Sequence, residues 1–103
     1  MKLTKSYDDM ICRRIVKDKK FAVALFRDSL AAIFEGDFTY GLTRLHDIVK
    51  VGMGFAALSE AVGMSTQNLH RTLSMRGNPT VKTLNKIVSA IAASLGVNLQ
   101  AAA

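Results

Sequence analysis

A single cysteine, Cys12, has no partner for a disulfide within these 103 residues, which excludes a disulfide scaffold. Its neighbours Arg13 and Arg14 would lower its thiol pKa, whereas burial in a helix would leave it inert. Histidine is nearly as scarce. His46 and His70 are the only two, and no carboxylate lies at a spacing that completes a metal or acid–base constellation with either. Asp47, adjacent to His46, points to a different face of a helix. The glycines form neither a GxGxxG pattern nor a phosphate loop. Neither an enzyme nor a cofactor is therefore expected. Long hydrophobic runs are also missing. The longest nearly apolar stretch, near Ile87 to Val97, is interrupted by Ser89, Ser94 and Gly96 and is far short of the roughly 20 residues of a membrane span. No leader-like charge and cleavage pattern opens the chain, so a reducing cytoplasm is the expected location. There is no repeat, low-complexity tract or linker.

Acidic residues are outnumbered, eight against fourteen Lys and Arg, giving a net charge of +6 and a pI near 9.8 that favour an anionic partner. The distribution narrows this. Residues 1–20 carry seven basic side chains against three acidic, residues 21–54 three against four, and residues 55–103 four against one. The middle therefore reads as core or as a protein-contact surface. Half of the residues are hydrophobic, ample for one core, and the chain is expected to be a single domain over 1–103, with N-terminal helices in 1–52 and a helix pair with its supporting helix in 53–100.

The spacing predicts an all-α fold of about six helices. Ser6 with Asp9 resembles a capping box opening a helix to about Val16, with Met10, Ile11 and Ile15 as apolar positions. Asp18 can cap a second helix whose apolar face is Phe21, Leu25, Phe26, Leu30, Ile33 and Phe34, stopped at Gly36. Asp37 can cap a third, with Phe38, Leu42, Leu45, Ile48 and Val49 at helical period and Gly52 near its end. A last helix from Thr80 to about Leu95 places Leu84, Ile87, Val88, Ile91 and Leu95 inward, before Gly96. Val97 to Gln100 alternates apolar and polar, the pattern of a short edge strand or an extended tail.

The most informative stretch is FAALSEAVGMSTQNLHRTL, residues 55–73. Phe55, Leu58 and Val62 form one stripe, Gly63 is suited to a tight stop, and Ser65 is a natural N-cap for a second short helix. On that helix Leu69 and Leu73 share one face, and Gln67, His70, Arg71 and Ser74 the opposite one. A dry back and a hydrogen-bonding front are what entry into a major groove requires. This is a helix-turn-helix signature. With the basic SMRGNPT loop and the helix after it, it resembles the Cro/C1-like family of small phage and plasmid repressors over about half the chain. Thr66, Gln67, His70 and Arg71 are the candidate base contacts. Ser65, Asn68, Arg76, Asn78 and Lys82 are the candidate phosphate contacts. His46 reads as a solvated or interface residue.

The whole chain is similar to the probable addiction-module antidote proteins. The likeness is carried by Phe21 to Glu35 with Gly36-Asp37, by Gly54-Phe55 to Gly63, and by Arg76-Gly77-Asn78-Pro79-Thr80 leading into Leu84. The resemblance implies an antitoxin that neutralises a RelE/ParE-like toxin by contact and, as a homodimer, represses its own operon by binding double-stranded operator DNA. Thr72, in place of a larger apolar residue, and Ser59, in place of alanine or glycine, depart from the family pattern and predict a more loosely packed second helix. Two alternatives remain: a stand-alone phage-type repressor, and a protein-interaction module without DNA binding.

Overall fold

A computed structural model describes the backbone of residues 2–99 and the side chains from residue 7 to 99. The fold is all-α, with six helices among the described residues, in chain order: α1 (Lys2–Lys17), α2 (Lys19–Phe34), α3 (Phe38–Val51), α4 (Phe55–Val62), α5 (Thr66–Thr72) and α6 (Val81–Leu95). The boundaries follow local chemistry. Asp18, Asp37, Ser65 and Thr80 each accept a hydrogen bond from the backbone N–H three residues on, satisfying one free donor at the starts of α2, α3, α5 and α6. Gly36 and Gly96 close α2 and α6 in the left-handed region. The following N–H groups of Asp37 and Val97 reach back to Ala32 and Ala92 at 2.8 and 2.9 Å, the Schellman pattern.

One apolar cluster draws on all six helices. Phe26 of α2, Leu45 and Val49 of α3, Leu58 of α4, Leu69 of α5 and Ile87 and Ile91 of α6 lie wholly inside it. Helices α2 and α3 pack most extensively, and Gly41 permits their close approach. A Cβ there would stand 2.7 Å from the Ser29 carbonyl oxygen and 2.4 Å from the Ile33 side chain. Helix α1 is fastened by the buried guanidinium of Arg44 on α3, which donates to Asp8 at 2.9 Å and lies 3.2 Å from Asp47. The rings of Tyr7 and Tyr40 lie 6.0 and 5.7 Å from that guanidinium. Burial opposes the arginine's charge, yet the two carboxylates more than offset it and its pKa rises.

Several expectations from the sequence are corrected. Helix α1 starts at Lys2, so Ser6 lies inside it rather than at its cap; Lys and Leu are good helix formers, and nothing in the preceding residues stops the helix. Met10 is exposed because the inward stripe of α1 is Ile11 and Ile15. Phe34 and Phe38, which share the apolar period of α2 and α3, are 87% and 57% exposed because they flank the corner between the helices, which no other helix covers. No strand forms at Val97 to Leu99 among the described residues; Gln100, the last residue of that expectation, lies outside them. No helix of the described residues is long and apolar enough to cross a membrane.

Candidate nucleic-acid interface

Helices α4 and α5 are joined by three residues, Gly63 to Ser65. Gly63 has φ 73°, a left-handed conformation costly for a residue with a Cβ, and its N–H returns to the Ser59 carbonyl. The Ser59 hydroxyl donates to the Met64 carbonyl, tying the turn to α4 from within. Leu69 and Leu73 are fully buried, so α5 packs tightly despite Thr72 and Ser59, against the expected looseness. Their burial turns the opposite face of α5 outward.

That face carries the residues singled out from the sequence. Thr66, Gln67, Asn68 and Arg71 are exposed, with Gln67 and Arg71 one turn apart. The Ser65 hydroxyl oxygen accepts from the Asn68 N–H at 3.1 Å, which leaves its O–H free to donate. Arg76 and Lys82 are exposed on either side of the loop from α5 to α6, and no ion pair engages them or Arg71 among the described residues. Asn78, in the loop between α5 and α6, is exposed and borders an apolar groove with Pro79. Gly77 lets the loop fold back on α5. A Cβ there would stand 1.9 Å from the Thr72 carbonyl oxygen.

His70 is held from behind. Its ring stacks on Phe55 of α4 with centroids 3.9 Å apart, and its Nδ1 shares a hydrogen bond with His46 Nε2 of α3 at 3.0 Å. Only Nε2 of His70 remains to face outward. His46 is half-buried, and burial, followed by the nearby His70 and Lys50, lowers its pKa. It is a link between α3 and α5 rather than a solvated residue. Nothing in the spacing of His46, Phe55 and His70 announces this cluster, because it joins three helices.

Cys12 is partly buried in α1, as the reading of an inert helix cysteine expects. Burial and the carboxylates of Asp47 and Asp8 raise its thiol pKa, outweighing Lys50 and Arg44, and Arg13 and Arg14 do not lower it. Comparison of the chain with protein-family models, characterised proteins and solved structures found no match.

Proposed function

We propose that this chain is the antitoxin of a type II toxin–antitoxin module, a cytoplasmic homodimer that binds operator DNA through α5 and neutralises a RelE/ParE-like toxin. The observation that carries the DNA-binding half is the two-sidedness of α5. Leu69 and Leu73 are sealed in the core while Thr66, Gln67 and Arg71 stand exposed and unpaired on a capped, rigid helix. Gln67 and Arg71 have the geometry for bidentate pairing to adenine and guanine, with Thr66 and Nε2 of His70 beside them. Ser65, Asn68, Arg76, Asn78 and Lys82 supply donors for the phosphates on either side. One such helix covers few base pairs, so a two-fold dimer on half-sites roughly 34 Å apart completes the footprint. The toxin-binding half is supported by the antidote-like order of motifs and by the near-neutral charge of residues 21–54.

The test is fluorescence anisotropy on the gene's own promoter against random duplex in about 0.15 M salt, where a Debye length of about 8 Å screens loose attraction. Wild-type protein is expected to prefer the promoter. Arg71→Ala should lose about 1–3 kcal/mol of that preference with little change in salt slope, whereas Arg76→Ala and Lys82→Ala should weaken all duplexes alike and each lower the slope by about one. Equal binding of promoter and random DNA by wild type would leave the interaction-module reading in its place.

A further inference from the structure

Three aromatic rings from three helices meet behind the outward face of α5. His70 of α5 stacks on Phe55 of α4 with centroids 3.9 Å apart, and His46 of α3 lies 4.9 Å from the same phenyl ring and 5.1 Å from the His70 imidazole. The 3.0 Å bond between His46 Nε2 and His70 Nδ1 sets the direction of both rings. His70 is exposed and its Nδ1 is turned inward, so Nε2 is the atom it offers to a ligand.

One proton sits between the two facing nitrogens, and the charge of the pair decides what Nε2 of His70 presents. In the neutral pair that proton belongs to either ring. If His46 Nε2 holds it, His70 carries its own proton on Nε2; if His70 Nδ1 holds it, Nε2 of His70 is a bare acceptor. Uptake of one more proton removes the choice. The charge settles on His70, because burial, the facing His70 and Lys50 on the same helix all oppose a charge on His46. His70 Nδ1–H then donates to His46 Nε2, the bond survives, and Nε2–H of His70 becomes a cationic donor aimed outward. The face of Phe55 attracts a cation stacked on it. Arg71, the next residue along α5, and Lys50 are both exposed cations, and Glu60, the one acidic residue of α4, forms no ion pair with either ring. Among the described residues the imidazolium therefore has no carboxylate within ion-pair distance, and its counter-charge must come from outside.

We propose that DNA binding by α5 is coupled to the uptake of one proton by the His46–His70 pair: His70 carries the charge to an acceptor on the duplex, and His46 is a positioning residue that holds the ring by accepting its Nδ1–H. The inference rests on the proposed docking of α5 in the major groove and adds to it the charge state of one contact. Guanine and phosphate both present acceptors, which suit a cationic N–H and would repel a bare acceptor nitrogen. By reciprocity, the duplex favours the protonated pair by the same factor that the proton tightens binding.

Fluorescence anisotropy of the full chain on promoter and random duplexes between about pH 5.5 and 8, at one fixed salt concentration, tests the coupling, with far-UV circular dichroism checking the fold at each pH. Wild-type affinity is expected to rise as pH falls, approaching about tenfold per pH unit on the alkaline side of the pair's titration, the signature of one proton. His70→Asn should give an almost flat profile, whereas Arg71→Ala should lose promoter preference and keep the slope. His46→Leu, which removes the acceptor, should reduce the slope, and His46→Gln, whose side-chain carbonyl reaches the place of Nε2, should restore part of it. A slope on both duplexes places the imidazolium on phosphate, and a slope confined to the promoter places it on a base. Two-bond proton–nitrogen NMR spectra of the free protein give a reading without DNA. His70 should take on the imidazolium signature while His46 stays neutral, and added duplex should increase the imidazolium fraction at fixed pH. Charging of His46 first, a pH-independent wild type, or an unchanged slope in His70→Asn would overturn the assignment. Equal affinity for promoter and random duplex with the slope intact would sink only the sequence-reading proposal, and promoter preference with a flat profile only this one.

Discussion

The hydrogen bond between His46 and His70 requires one of the two facing ring nitrogens to be unprotonated, so that it accepts from the N–H of the other. Burial lowers the pKa of His46, helped by His70 and Lys50. A base whose folded pKa is depressed below its unfolded value stabilises the fold fully above the unfolded value and loses that contribution as pH falls through the folded one. The protein should therefore melt at lower temperature as pH is reduced from about 7.5 towards 5. His46→Asn should show a shallower dependence over this range in thermal denaturation, and an identical slope would show that other groups carry it. Asp47 works in the opposite sense. Burial raises its pKa despite the neighbouring Arg44, so its contribution is greatest when it is protonated and diminishes as pH rises through its folded pKa.

The α4–α5 pair is held by devices of short range, and the loop after it by one that is not. Gly63, Ser65 and the Ser59 hydroxyl set the turn within seven residues of chain. Gly77 instead allows the loop to lie against the C-terminal end of α5, where the Thr72 carbonyl occupies the space that a Cβ would need. Gly77→Ala should therefore destabilise the protein by about 1–3 kcal/mol in urea denaturation. It should also weaken DNA binding, because displacement of the loop moves Arg76 and Lys82 relative to α5. A variant as stable as wild type would show that the loop can shift without cost. Gly41 is a second close-approach glycine, between α2 and α3, and the helical period of α3 conceals it because a glycine leaves no gap in an apolar stripe.

Charge and burial divide the molecule into surfaces suited to different partners. The α5 face is polar and basic, the corner between α2 and α3 opens with the start of α6 into an apolar groove, and the exposed surface of residues 21–50 away from that groove, including Arg27, Asp28 and Thr39, is polar and of mixed sign. Under the proposed antitoxin function, a toxin that acts on ribosome-bound RNA should be basic, which makes the basic α1 a poor match and favours the near-neutral segment of residues 21–54. Substitutions at exposed positions within residues 21–50, such as Asp28→Lys, are expected to weaken co-purification with the product of the adjacent gene more than changes at Gln67 or Arg71. Deletion of this segment is unsuitable as a test, because Phe26, Leu45 and Val49 belong to the shared core. Retention of the complex in the surface variants, with its loss in Arg71→Ala, would reverse the division of surfaces.

Features that depend on contacts within a few residues could be read from the chain before its fold was known. The caps at Asp18, Asp37, Ser65 and Thr80 and the stops at Gly63 and Gly96 are properties of one helical turn, and an inward stripe such as Leu84, Ile87, Val88 and Ile91 follows from the period of the helix. Helix α1 begins ahead of Ser6 because a good capping residue does not prevent a helix from starting earlier. What lay beyond such reasoning joins residues distant in the chain. Arg44 meets Asp8 across 36 positions and His46 meets His70 across 24, pairings that no local pattern encodes. Periodicity likewise says which residues share a face, not whether another helix covers it. Leu42 is buried and Phe38, one turn earlier on the same face, is exposed, because the packing of α2, α3 and α6 closes over the first and leaves the second on the rim of an open groove.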